Sequence, residues 1–564
     1  MNINKRLFQV IPVLFLFVLT LVLCPVHFLL NDDYALMQLV AGWRSGTPEF
    51  YNVYNNVIYS APLSLLYRLC GNIPWYPLVQ IVILFFASYT IWKTMRKNKS
   101  GTLGAVFVLL SFLCLFLCGI LPNLVYLQYS IVAAIAGSAA CILFLDGETG
   151  RGHGYQIILF VLLSFLIRQE SGIVMLCMLL GTLAMRHMKK REPIAKKALP
   201  RKQGLSELLI ISLAVLFCFG AGLVQKSVET SPNVRNYTEF NALRTRYMDY
   251  GDHPTYQESD VYQRIGWSEN LYDMTRNWFF MDERVSAETL SAILSEGKAP
   301  AVSEKLASVP SSFLETLKET NMVRDLFLLF IWLTAATVLC RLLNREYLSA
   351  LRDCLPAACF FIASLYLCYQ GRYPQHAFYV CILPACTLLF YDWTELEKGG
   401  RLMQGVMVLA LAGMFFLAYN SAEHVVLSSR SGFYQNKEIL SDEVDAYAAA
   451  HPKDIIITDY SIQGSGKPWK RETDDHPLNR FFWGGWYYQS PFYYTQLQKN
   501  GRHPLYAQDF YDSNVRLVSA SPKLLEDFLA YLTATYGKTR AIPVLSGPRF
   551  TVYRFLLDTG ETPR

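Results

Sequence analysis

The sequence predicts an α-helical polytopic membrane protein of about eleven transmembrane helices, with an extracytoplasmic helical insertion and a C-terminal extracytoplasmic α/β domain. Three observations carry that reading. Hydrophobic residues make up 52% of the 564 and charged ones only 17%, with a mean hydropathy of +0.22, against roughly a quarter charged in soluble domains. The apolar residues gather into runs close to the length, about 20 residues, that crosses about 30 Å of hydrocarbon. The dense basic clusters, Lys93-Thr94-Met95-Arg96-Lys97-Asn98-Lys99 and Arg186-His187-Met188-Lys189-Lys190-Arg191 running on to Lys202, abut the ends of those runs, where Lys and Arg are retained on the cytoplasmic side.

In chain order, Lys5-Arg6 precedes an apolar run with no A-x-A-like cleavage site, and a bulky Leu23 before Cys24 fits lipoprotein processing poorly, so the run reads as an uncleaved first span. Spans are expected at 7–30, 75–92, 102–121, 124–145, 155–167, 171–185, 205–224, 323–343, 353–369, 377–393 and 404–420. With the N-terminus inside, an odd number of crossings leaves the C-terminus outside. Loops 93–101, 146–154, 186–204, 344–352 and 394–403 then fall inside, with the longest basic runs among them. The expected location is a bacterial cytoplasmic (plasma) membrane.

Segments 155–167 and 171–185 are short, about 20 Å of helix each, and read as tilted or partial spans lining a wet cavity. Arg168-Gln169-Glu170 lies between them, either at the water interface or at membrane depth beside a ligand. The expected organisation is an N-terminal transmembrane module over 1–224 with an acidic first outer loop, a helical insertion over 225–322, a second transmembrane module over 323–420 and an α/β domain over 421–564. Amphipathic patterning predicts helices at 285–296 and 303–320 in the insertion. In the last segment it predicts helices at 434–450 and 522–536 and strands at 454–459, 541–544 and 550–556.

Composition also excludes classes of function. The net charge of +6 resides in the basic loops, with no basic face interleaved with aromatics, so no nucleic-acid partner is expected. The 13 cysteines lie almost all in apolar runs, and 226–321 and 421–564 contain none, which suits a bacterial exporter that uses no disulfides. No Cys/His cluster reads as structural zinc. A G-x-x-x-x-G-K-S/T loop, a G-x-S-x-G elbow and H-E-x-x-H are all absent, which argues against ATP-driven transport and serine hydrolysis.

The chemistry is expected at Asn31-Asp32-Asp33-Tyr34, directly after span one. One carboxylate can take the proton of an incoming hydroxyl while its neighbour orients it or helps hold a divalent cation. The same pair also reads as a helix N-cap, accepting backbone N–H bonds at the positive end of the dipole. Further on, Tyr369-Gln370-Gly371-Arg372-Tyr373-Pro374-Gln375-His376 forms a short outer loop that reads either as an interfacial loop with a snorkelling Arg372 or as a phosphate site, with Arg168 as second cation and His376 adding a donor or shuttling a proton. The aromatic run Phe482-Trp483-Gly484-Gly485-Trp486-Tyr487-Tyr488 reads either as a domain core or as faces for stacking on sugar, with Trp483, Trp486 and Glu170 the acceptor contacts on the second reading.

After Asp32-Asp33 come Trp43-Arg44-Ser45-Gly46-Thr47-Pro48-Glu49, Asn52-Val53-Tyr54-Asn55-Asn56 and a short amphipathic stretch at 57–69. This succession of long span, outer acidic pair and polar loop with interfacial helices resembles the opening of the GT-C superfamily. These are multi-span glycosyltransferases that use polyprenyl-phosphate-linked sugars, and the likeness is to bacterial Rgt/ArnT/PMT-like members. It is clearest over 1–150 and extends, in span number and an outer C-terminal domain, over the whole length. It implies Asp32 as catalytic base with Asp33 in the neighbouring position. The family's usual Asp-Glu is Asp-Asp here, which bears on whether a divalent cation (Mg or Mn) is held by Asp32 and Asp33.

The expectation is a cell-envelope polysaccharide-biosynthesis enzyme moving a hexosyl or pentosyl group, with inversion, from a lipid-linked sugar donor to a glycan or lipid acceptor among membrane lipids. Two alternatives stand beside it: a polymerase or ligase acting on lipid-linked glycans, for which Arg372 and His376 would matter more than the acidic pair, and a non-enzymatic lipid-linked-sugar flippase or envelope scaffold.

Overall fold

The computed structural model describes residues 3–97, 101–147, 151–191, 202–251, 253–297, 301–396, 399–462 and 466–558. Parts of four loops expected inside, at 98–100, 148–150, 192–201 and 397–398, lie outside the described residues. Among the described residues nine helices are long and apolar enough to cross a membrane, and two shorter apolar helices, Gln9–Leu23 and His153–Ile167, stand with them.

The first helix, α1 (Ile3–Leu23), ends seven residues before the expected limit of 30. Pro25 cannot donate to a helical ladder, and the chain instead goes extended through β1 (His27–Phe28) before α2 (Asn31–Ala41) and α3 (Val57–Leu69). Next come α4 (Trp75–Arg96), α5 (Gly101–Leu115) and α6 (Leu121–Val125), with a π-helical turn at Phe116–Ile120 between the last two. β2 (Tyr126–Leu127) pairs in parallel with β1, His27 opposite Tyr126 and Phe28 opposite Leu127. The break between the third and fourth spans therefore falls at 126–127.

α7 (Tyr129–Asp146), α8 (Arg151–Ile167), α9 (Gln169–Arg191) and α10 (Lys202–Glu229) follow. The expectation of a short partial span at 171–185 is corrected, because α9 runs on through Arg186 and His187, polar residues that end the apolar run without ending the helix. α7 and the later α19 (Gln375–Glu395) form the centre of the bundle, each with 94% of its apolar stretch buried. Small residues let helices approach closely where lipid offers no hydrophobic drive. At Gly137 of α7 a Cβ would stand 2.1 Å from Met175 of α9.

The segment after α10 folds as α11 (Pro232–Thr245), α12 (Val261–Arg264), α13 (Glu269–Arg276), α14 (Ala287–Glu296) and α15 (Val302–Glu319). α16 (Asn321–Leu343), α17 (Tyr347–Asp353), α18 (Leu355–Tyr369), α19 and α20 (Arg401–Arg430) complete the spans. Beyond them α21 (Gly432–Ala450), β3 (Ile455–Thr458), β4 (Arg480–Phe482), α22 (Pro491–Lys499), β5 (Val515–Ser519), α23 (Pro522–Tyr536), β6 (Thr539–Ser546) and β7 (Thr551–Leu557) build a mixed sheet of order β4-β3-β5-β7-β6. β3 is parallel to β4 and β5, and β7 is antiparallel to β5 and β6.

The two large extramembrane segments share one apolar core. Phe279, Phe280 and Leu290 from the first pack with Trp483, Phe528 and Phe555 from the second, and Tyr531 donates to Asp282 across the join. This shared body sits on the side of the bundle that carries α2. His27 fixes it there: its Nε2 lies 3.0 Å from the Ser429 carbonyl, to which it donates, and its Nδ1 lies 2.8 Å from Glu438.

Candidate active site

α2 begins at Asn31 with Leu30 as N-cap in an extended conformation and no side-chain cap. Asp32 and Asp33 are thus first-turn residues, favoured by the helix dipole; the capping reading of the pair is replaced. Successive residues on a helix point about 100° apart, and the two carboxylates diverge. Asp33 is fully buried. Its Oδ1 accepts hydrogen bonds from the Tyr76 hydroxyl at 3.1 Å, Gln80 at 3.3 Å and the Tyr129 backbone N–H at 3.1 Å. It clamps α2 to α4 and α7. Burial, only partly offset by these donors, holds its carboxyl well above the ordinary range.

Asp32 faces the other way, half-buried in a cavity wall. Its Oδ1 accepts the indole N–H of Trp486 at 2.9 Å. Burial raises its pKa above the usual carboxylate value, while the Trp486 bond and the charges of Arg168 and Arg244 pull the other way.

Two cavities meet at Asp32. One, of about 400 Å³, lies under the shared extramembrane body and is walled by Asp32, Gln38, Arg44, Arg244, Trp278, Arg480, Phe482, Trp486 and Tyr487. The other, of about 360 Å³, contains Arg168, Glu170, Tyr129 and Asn55. Leu30, Asp32, Tyr54, Asp249, Arg372 and His376 line both. Arg168 lies over the stacked rings of Tyr54 and Tyr129, at 5.1 and 5.6 Å from their centroids, and pairs with Glu170 at 2.8 Å. Burial works against its charge, but the surrounding Tyr129, Glu170, Tyr54 and Asp32 outweigh it and hold its pKa above the ordinary value. Arg372 pairs with Asp249 at 3.1 Å. Its placement depends on the turn before it, where Gly371 takes a φ of +85°, a left-handed conformation that favours glycine. His376 stands in the first turn of α19.

The structure thus brings Asp32, Arg168, Glu170, Arg372, His376 and Trp486 to one joined space and leaves out Asp33 and Trp483. Trp483 is 1% exposed, packed on Phe279 and Phe528 in the extramembrane core, so the acceptor contact expected of it is corrected. Trp486 reaches the cavity because Gly484 and Gly485 turn the chain between the two tryptophans. Gly485 has a φ of +80°, and a Cβ on Gly484 would stand 1.8 Å from the Trp278 carbonyl oxygen.

Arg44, Tyr54, Arg244, Asp249, Trp278, Glu319 and Arg480 also line the joined space. Sequence reasoning assigned none of them a role. The charge-rich run 241–252 and the Trp43-Arg44 pair were visible as polar, but not the faces they turn to Asp32; Asp252 lies outside the described residues.

As a donor set for a divalent cation the acidic pair does not fit. Asp33 has a buried Oδ2 without a hydrogen-bond partner, but it lines neither cavity, so an ion beside Asp32 has no second carboxylate from the pair. Among the described residues no group of three or more His, Cys, Asp or Glu side chains could hold a metal.

No protein-family model matches the chain, and no curated protein matches it. Among solved structures it is similar to ArnT from Cupriavidus metallidurans bound to undecaprenyl phosphate, at 9% identity and a TM-score of 0.46 with 100% of both chains covered. Apo ArnT gives 10% identity and a TM-score of 0.49 over 98% of this chain and 97% of that one. The oligosaccharyltransferase of Archaeoglobus fulgidus in complex with Zn and sulfate gives 11% and 0.43 over 90% of this chain and 68% of that one. Likenesses this distant assign no residue a role.

Proposed function

We propose that this chain transfers a sugar from a polyprenyl-phosphate-linked donor to an acceptor hydroxyl, with Asp32 as general base. The observation that carries the reading is the position of Asp32 at the meeting point of two cavities of different character. One side offers Arg168 with the shared Arg372 for a phosphate; the other offers aromatic faces, polar groups and further arginines for an acceptor.

In the reaction, the acceptor hydroxyl gives its proton to the free oxygen of Asp32 as its oxygen bonds the anomeric carbon. The bond from that carbon to the phosphate oxygen breaks, and its electron pair leaves with the phosphate. Arg168 and Arg372 face that developing charge, and a guanidinium fork matches phosphate oxygens. Trp486 fixes the orientation of Asp32 through its other oxygen. Attack opposite the leaving group inverts the anomeric centre.

A third cleft, of about 780 Å³, supports a lipid donor. Its walls include Phe165, Leu176, Val215, Phe219 and Leu223, and it shares Gln169, Gln225 and Glu229 with the arginine cavity. An apolar tail seated against α10 would leave its phosphate within reach of Arg168. In the orientation proposed here the site faces outward from a bacterial plasma membrane, away from cytoplasmic nucleotide sugars, with the N-terminus inside and the C-terminus outside.

The test is mass analysis of lipid-linked sugars in cells carrying Asp32→Asn in place of the wild-type chain. The expected result is accumulation of donor and loss of the glycan product with membrane insertion unchanged. Normal product in that strain would refute the mechanism.

A further inference from the structure

Arg44 and Arg244 are buried cations with no ion pair among the described residues, although the charge of Asp32 acts on Arg244 across the cavity. They are 6% and 2% exposed, yet among the described residues neither has a carboxylate within ion-pair distance. Arg44 lies over Phe482 at 4.5 Å and Tyr487 at 5.4 Å, and its Nε donates to Gln38 at 2.9 Å. Gln38 is the only hydrogen-bond acceptor it has among the described residues, so the two terminal nitrogens of the fork are left for the cavity they line. Arg480, beside it, adds a like charge, and Asp445, whose charge acts on Arg44, is already shared by Arg480 and Lys470. Burial pulls the Arg44 pKa below arginine's ordinary value. Arg244 lies over Trp278 at 5.7 Å and, among the described residues, donates only to the neutral oxygens of Asn241 and Thr245. A desolvated, unpaired charge is retained at high cost unless a ligand of opposite charge meets it.

Both arginines line the acceptor-side cavity and neither lines the cavity that contains Arg168. Along α2, Asp32 and Gln38 are six residues, or about 9 Å of helix rise, apart, and both line this cavity with Arg44. An in-line displacement places the leaving phosphate on the far side of the anomeric carbon from the attacking hydroxyl. An anion seated at Arg44 therefore belongs to the molecule whose hydroxyl meets Asp32. The aromatic faces between, Trp486 and Phe482, suit sugar C–H surfaces.

We propose that Arg44 and Arg244 seat an anionic group, carboxylate or phosphate, on the acceptor, and that the acceptor is an acidic saccharide. This rests on the transfer reaction proposed above and names its acceptor class.

The test uses the full-length protein purified in detergent and measures binding of glucose, glucuronate, glucose 6-phosphate and farnesyl phosphate by ligand-dependent thermal stabilisation. Glucuronate or glucose 6-phosphate is expected to bind at least about ten-fold tighter than glucose, as charge-assisted bonds to a fork provide. Arg44→Gln should reduce that affinity to the level of glucose and leave farnesyl phosphate unchanged; Arg168→Gln should do the reverse. If Arg44→Gln does not fold, Arg244→Gln, which leaves the Gln38 bond intact, gives the same reading. Equal binding of charged and neutral sugars would overturn the inference, as would a loss of farnesyl phosphate in Arg44→Gln, which would assign the anion to the donor. Failure of farnesyl phosphate to respond to Arg168→Gln, with the acidic-sugar preference intact, would instead count against the donor side of the proposed function.

Discussion

One helical step turns Asp32 into a cavity and its neighbour Asp33 into the protein interior. Asp33 is held by three donors in a fully buried site, so Asp33→Ala should destabilise the protein by about 1–3 kcal/mol for each buried donor left unmatched, read as a lower Tm. Its pKa is raised in the folded state. The folded chain therefore binds the proton more tightly than the unfolded one, and the contribution is fully present below the unfolded value of 3.8 and lost as pH rises through the folded value. Wild-type Tm should accordingly decline with rising pH relative to Asp33→Asn; parallel curves would contradict the burial argument. Asp32 must be unprotonated to act as base, and its pKa is also raised. The acid limb of the transfer rate should therefore lie above the range of an ordinary carboxyl. Trp486→Phe keeps an aromatic face but removes the N–H whose bond favours the charged carboxylate, so it should move that limb to still higher pH.

At the scale of elements, apolar run length made the spans legible in the sequence, and helices such as Pro522–Tyr536 were readable from their amphipathic pattern. Short strands were not: Arg480–Phe482 and Val515–Ser519 are buried by pairing with β3, which no local pattern of three to five residues announces. The limit of α1 was missed because β1 and β2 are two residues each and exist only through one another. The site was half legible. Asp32, Arg168, Arg372, His376 and Trp486 carry chemistry-bearing types at interfacial positions, but which of two neighbours faces the cavity depends on packing partners more than 40 residues away. Trp483 and Trp486 differ in that way, separated by the Gly484-Gly485 turn. Gly484→Ala, whose Cβ would meet the Trp278 carbonyl, should displace Trp486 from Asp32 and lower turnover. Trp483→Ala should destabilise the protein by about 3–5 kcal/mol through lost core packing, read as a lower Tm, with little change in acceptor KM.

Across the whole molecule, the site exists only where the helix bundle meets the extramembrane body. The bundle side supplies α2, Arg168 and the loop leading into α19, while the segments after α10 and α20 supply Arg244, Asp249, Arg480 and Trp486. Division of the site between a membrane face and a cap suits a reaction whose donor arrives in lipid and whose acceptor arrives in water. The most direct measurement of that account is single-turnover transfer by the purified protein with a polyprenyl-phosphate-linked sugar and an acidic saccharide acceptor, comparing wild type with Asp32→Asn. Loss of a positioned base should slow transfer by about 10²–10⁴-fold while farnesyl phosphate binds as before. Transfer by Asp32→Asn at the wild-type rate would contradict it.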